Sequence, residues 1–106
     1  MVARFDVYLV NLDLEVSRNA KNTRPCVVVS PDEMNRNISN VIIAPLSSAT
    51  AKYPTRINVN FLNSERMIVL DQIRTVDKVR LVKKIGEIEK AVQKETLDRL
   101  LEMFAE

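Results

Sequence analysis

Residues 23–30 read Thr-Arg-Pro-Cys-Val-Val-Val-Ser, and no other stretch narrows the fold as much. An unbroken apolar run rich in valine reads as a strand buried on both faces. Pro25 has no backbone N–H to give to a ladder, so it is expected at the first position of a strand over residues 25–29. The run stops at Ser30-Pro31-Asp32-Glu33, which reads as a helix start. Ser30 is expected to cap that helix, Pro31 to take its first position and Glu33 to complete a capping box. The helix is expected to be short, ending near residues 36–37.

The remaining pattern repeats this economy of short elements. Residues 7–12 and 41–46 are rich in β-branched and aromatic side chains and read as strands. Residues 55–60 alternate polar and apolar, as a half-exposed strand does. Residues 67–70 read as another buried strand, 77–81 as a short helical turn and 82–88 as the last strand. Residues 13–23 are polar, lack an apolar period and read as a loop. From Lys94 the period becomes helical. Leu97, Leu100, Leu101 and Phe104 share one face, expected to pack on the core, and Glu95 suits the helix start. Short strands with appended helices make the class α+β, mainly β, and point to a small barrel. A chain of 106 residues fits a single domain over 1–106 with one modest core.

Composition then limits the chemistry. There is no histidine, which excludes a histidine acid–base pair and any Cys/His zinc site. A carboxylate metal site stays open, although no tight acidic cluster points to one. Cys26 is the only cysteine, so no intrachain disulfide forms, and it reads as a small buried hydrophobe. No charged leader precedes an apolar core and no apolar run approaches a membrane span, so a cytoplasmic chain without membrane contact is expected. Charge is uneven. Between residues 16 and 64 the acids are Asp32 and Glu33, against Arg18, Lys21, Arg24, Arg36, Lys52 and Arg56. A solvated basic face and a footprint for phosphates both fit that bias. The same two readings apply to Lys78, Arg80, Lys83 and Lys84.

Three elements occur in a telling order: Arg24-Pro25 opening a buried strand, a strand over 41–46 ending in Ser47-Ser48, and the block Asp71-Gln72-Ile73-Arg74-Thr75-Val76-Asp77. Together they resemble the MazF/PemK/Kid family of toxin endoribonucleases, the mRNA interferases, across nearly the whole chain. The resemblance implies an SH3-like barrel of the CcdB/PemK type, with a short helix after the second strand and a C-terminal helix. It implies the toxin of a type II toxin–antitoxin pair, working as a homodimer without cofactor or metal and inhibited by a small acidic antitoxin. Such a toxin cuts single-stranded RNA by attack of the RNA's own 2′-hydroxyl, leaving a cyclic phosphate and a 5′-hydroxyl.

Carried over by position, the resemblance makes Arg24, Ser47 and Asp71 catalytic. It places Arg18, Asn19, Lys21, Thr23, Ser48, Gln72 and Arg74 in substrate binding. The Arg24 guanidinium is a forked donor suited to two phosphate oxygens, and it holds its proton too tightly for facile acid–base work. Ser47 stands where the family has threonine. It keeps the hydroxyl that a phosphate oxygen needs, or it caps a turn. Asp71 is expected to take the hydroxyl proton, to bond a nucleobase edge, or to pair with Arg74 or another base. The chain departs from the family at Phe5, where glycine is usual, and at Leu14, Ser17 and Asn19, where proline, glycine and glutamate are common. Two alternatives stay open: a gyrase-poisoning toxin of the CcdB type, and a degenerate paralogue that binds RNA or antitoxin without cutting.

Overall fold

The computed structural model describes residues 1–13, 22–48 and 53–105. Among these, the elements run β1 (Asp6–Asn11), β2 (Thr23–Val28), α1 (Asp32–Asn37), β3 (Asn40–Ser47), β4 (Arg56–Phe61), β5 (Ser64–Val69), β6 (Arg74–Asp77), β7 (Leu81–Glu87) and α2 (Lys90–Phe104). Short 3-10 turns, Leu70–Gln72 and Lys78–Arg80, flank β6. The strands form one antiparallel sheet in the order β4-β5-β3-β2-β1-β7, with β6 added alongside β3. The sheet curls into a half-barrel that carries the C-terminal helix, so the expected α+β, mainly β class holds.

The curl makes two cores. Side chains alternate across a strand, so β2 sends Val27 to one face and Cys26 and Val28 to the other. On the first face Val27 packs with Val7, Ala44, Leu46, Ile68 and, from α2, Val92. On the second, Cys26 and Val28 pack with Val10, Val41, Ile43 and Val76. Cys26, Val27 and Val28 are all fully buried, which is why this strand reads as an unbroken apolar run.

Local chemistry differs from the sequence expectations at four places. Pro25 is the third residue of β2, not the first. It is tolerated because pairing with β3 begins only at Cys26, so at Pro25 β2 has a partner on one side alone. The expected capping box does not form. Pro31 occupies the N-cap of α1 without a side-chain cap. Ser30 is buried instead. Its hydroxyl donates to Asn35 Oδ1 and accepts from the Ile42 N–H, so it ties α1 to β3. β6 was not expected as a strand; it is four residues long and exists through its register with β3. The last helix begins at Lys90, four residues early, which leaves Glu95 in its second turn. Leu97 and Leu100 pack on the core as expected, but Leu101 and Phe104 are exposed.

Phe5 shows why glycine suits its position. Its φ is 73°, in the left-handed region. Its N–H donates to Val28 O at 2.7 Å and its carbonyl accepts from Ile88 N at 3.0 Å, so the chain cannot turn otherwise without losing both bonds. Burying the ring contributes about 1.5–3 kcal/mol, enough to offset the roughly 1–2 kcal/mol cost of that backbone.

Candidate functional site

The register of the sheet assembles the site. β2 and β3 pair as Cys26↔Pro45, Val27↔Ala44 and Val28↔Ile43. Two residues beyond Cys26↔Pro45, this register sets Arg24 across from Ser47 on the same face of the sheet. Ser47 pairs with Met67 on β5, and Met67 with Asn58 on β4. Arg24, Ser47, Met67 and Asn58 therefore form a row across four strands. Ser47 is half-buried at the tip of β3, and Ser48 is exposed just beyond it.

The Arg24 guanidinium is exposed, and among the described residues no hydrogen-bond acceptor or carboxylate engages it. An uncompensated guanidinium at the end of an otherwise buried strand offers its whole fork to an incoming anion. Arg74 lies on the same face, opposite Ile43 and four residues along β3 from Ser47. It is exposed, and its positive charge reaches the Cys26 thiol. Burial dominates that thiol and pushes it up to about 11, so Cys26 stays protonated and unreactive near neutral pH.

Asp71 sits apart, on the 3-10 turn after β5. Its Oδ1 accepts from the Thr55 hydroxyl at 2.8 Å and from Arg56 Nε at 3.4 Å. The Thr55 bond, more than the neighbouring guanidinium, holds this carboxyl below the usual range. Of the ion pairs left open from sequence, with Arg74 or another base, the structure forms the one with Arg56. Gln72 is exposed on the same turn. Thr23 falls on the opposite face from Arg24, beside Asn11 at the strand end. Arg18, Asn19 and Lys21 lie outside the described residues. Sequence reasoning did not single out Tyr53, Thr55 or Arg56 as site residues. The available signal was an aromatic-proline pair inside the basic span.

The second basic cluster resolves largely into structure. Lys78 Nζ donates to the Asn35 carbonyl at the end of α1. Arg80 donates to the carbonyls of Asn11 and Asp13, gripping the exit of β1. Lys84 bridges buried Asp6 at 3.2 Å and Glu87 at 3.0 Å. Only Lys83 has no such partner among the described residues. A cavity of about 240 Å³ opens across the sheet from Arg24, lined by Leu9, Pro25, Phe61, Ile85 and Arg66 among others. The row from Arg24 to Asn58 lies on the other face, with Arg24 and Asn58 exposed, Ser47 half-buried and Met67 buried.

Comparison with known proteins identifies the family and the fold. Residues 3–104 match the family described as PemK-like, MazF-like toxin of type II toxin-antitoxin system. The chain is 34% identical over 91 residues to Endoribonuclease MazF of Staphylococcus epidermidis, covering 80% of this chain and 76% of that protein. An endoribonuclease in complex with its cognate antitoxin from Mycobacterial species superimposes with a TM-score of 0.82 at 21% identity, over 96% of this chain and 93% of that one. The MazE-MazF complex (Form-II) from Deinococcus radiodurans gives 0.79 at 19% identity, over 98% and 95% of the two chains. At such identities the structural likeness concerns the fold.

Proposed function

The chain belongs to the PemK-like, MazF-like family of type II toxins and is an endoribonuclease, and on that premise we propose that Arg24 and Ser47 carry its cleavage of single-stranded RNA. The nucleophile is the RNA's own 2′-hydroxyl. Its oxygen bonds the adjacent phosphorus, the bond to the 5′ oxygen breaks, and the products are a 2′,3′-cyclic phosphate and a 5′-hydroxyl. No metal is needed, because the task is to align the hydroxyl and to stabilise a phosphorane. Arg24 presents two N–H groups to its charged oxygens, and Ser47 adds a hydroxyl donor from the neighbouring strand.

One observation carries this reading. Extended by two residues, the β2–β3 register sets a guanidinium that nothing among the described residues compensates across from a hydroxyl on one face. The proton role expected for Asp71 has less support, since a carboxyl held below its usual range is a weaker base. The 2′-hydroxyl proton passes to solvent base, and solvent returns one to the 5′ oxygen. The partners are single-stranded RNA, a second copy of the chain and a cognate acidic antitoxin. Residues 1–106 act as one toxin domain. No helix among the described residues is long and apolar enough to cross a membrane, and the RNA substrate places the work in the cytoplasm.

Incubating purified protein with a long RNA in excess EDTA, then mapping 5′-hydroxyl ends, tests the reading. Cleavage at a short recurring sequence is expected. A single 2′-deoxy substitution on the 5′ side of the scissile phosphate should abolish it while leaving binding largely intact. Cutting of that deoxy substrate would make water or a protein group the nucleophile.

A further inference from the structure

Tyr53 is an exposed aromatic on a surface where most large apolar side chains are covered; 57% of it meets solvent. It is nevertheless held in place. Arg56 N–H donates to Tyr53 O at 3.0 Å, Leu70 N–H donates to Thr55 O at 3.0 Å, and the Arg99 guanidinium of α2 donates to Pro54 O. The Arg56 guanidinium lies 4.7 Å from the Tyr53 ring centroid. Its Nε is anchored in turn by Asp71, and Asp71 by Thr55. Both of those bonds end on Oδ1, and the carboxyl also accepts from its own backbone N–H, which leaves an ionised carboxylate, with about four acceptor sites, room for one more donor. A pinned aromatic, a stacked guanidinium and a carboxylate with room for a donor together form the parts of a nucleobase cradle.

Its position fits that use. Arg56 pairs with Val69, two residues along β5 from Met67, the partner of Ser47. The cradle thus lies on the same sheet face as the Arg24–Ser47 row, about 12 Å from Ser47, two strand spacings across and two residues along.

We propose that Tyr53, Arg56 and Asp71 form a base-selecting subsite beside the scissile phosphate, in which one nucleobase stacks on Tyr53 and donates an N–H to the Asp71 carboxylate. This rests on the endoribonuclease reading. The chemistry of the acceptor limits which base enters. Adenine, cytosine and guanine present an exocyclic amino group to a carboxylate. Uracil offers only N3–H, flanked by two carbonyl oxygens that the carboxylate repels. The subsite therefore excludes uracil.

The test uses full-length protein and a pool of short RNAs randomised around one cleavage site, with cut positions read by sequencing. Wild type should reject uracil at one position. Asp71→Asn offers a donor as well as an acceptor and should admit uracil there. Tyr53→Ala should flatten preference at the same position and cut roughly tenfold less efficiently, since base stacking on an aromatic is worth about that much. A structural role would slow all sequences alike and leave the profile unchanged. Binding of the same pool carrying a 2′-deoxy group at the cut site separates this inference from its premise. If wild type cuts no RNA but Tyr53→Ala weakens binding of amino-bearing bases selectively, the subsite stands and the cleavage reading fails. An unchanged base profile in Asp71→Asn and Tyr53→Ala, in both cleavage and binding, overturns the subsite.

Discussion

Two arginines on one face of the sheet have opposite surroundings. Arg24 lies at the start of a buried strand, and among the described residues nothing compensates its guanidinium. Arg56 begins a half-exposed strand and is fully employed, stacked on Tyr53 and bonded to Asp71. An arginine bonded within the fold helps to hold a shape. One left unpaired keeps its donors for a charge that arrives later, and that charge gains more from them at the transition state than before it. The contrast fits the proposed division, with Arg24 stabilising the reacting phosphate and Arg56 placing the substrate.

The largest expected effect tests that division directly. Arg24→Ala should lower the RNA cleavage rate about a hundredfold or more, with an unchanged melting temperature. Arg24→Lys should rescue little, because a point charge cannot replace the fork. Near-wild-type cutting by Arg24→Ala would erase the contrast. Ser47→Ala should cost roughly tenfold or more, the worth of a hydrogen bond to a charged group, whereas Ser47→Thr should cut like wild type. Equal rates for all three would return Ser47 to a turn-capping role.

The proton sharpens the comparison further. With solvent base as acceptor, the single-turnover rate between pH 6 and 8 should rise about tenfold per pH unit. A profile flat over that range would mean that an already ionised Asp71 takes the proton, and Asp71 would then rejoin Arg24 in the chemistry.

The smallest effect concerns stability. Arg56→Ala should lower the melting temperature by an amount equivalent to at most about 1 kcal/mol, because Asp71 is more than a third exposed and solvent screens the pair. The Asp71 carboxyl is depressed in the folded state, so its contribution is present above the ordinary carboxylate value of 3.8. It fades as pH falls through the lower folded value. Thr55→Val removes the largest cause of the depression. Its stability deficit, measured by denaturant titration, should therefore be present at pH 7 and shrink in strong acid. A deficit independent of pH would mean that Thr55 acts through packing alone.

Much of the fold was legible because short elements announce themselves through local chemistry. The alternation over residues 55–60 became β4, with Ile57, Val59 and Phe61 buried and Asn58 and Asn60 exposed. β6 left no such trace. Arg74–Asp77 has one buried side chain, Val76, and its extended state comes from pairing with β3, a partner some thirty residues away. The absent capping box has a similar cause. Ser30 had a closer buried partner in Asn35 than the helix terminus offered, and tertiary contact overrode a local motif. Leu101 and Phe104 followed a correct helical period but point past the edge of the core that α2 covers. The proposed catalytic pair was legible only as a motif, since no local rule sets residue 24 across from residue 47.

Residue types alone set the chemical limits of this protein. Without histidine, and with one cysteine in an apolar run, histidine acid–base pairs and Cys/His zinc sites were excluded, while the pairing of an arginine with a hydroxyl came from the family resemblance. The family resemblance was likewise written in three short segments. Which charges remain free was decided only in three dimensions. Lys78, Arg80 and Lys84 read in sequence like Arg24, yet the fold brings carbonyls and carboxylates to the first three and none, among the described residues, to Arg24. Electrostatic compensation depends on distances across strands, and strand register is a global property of the sheet.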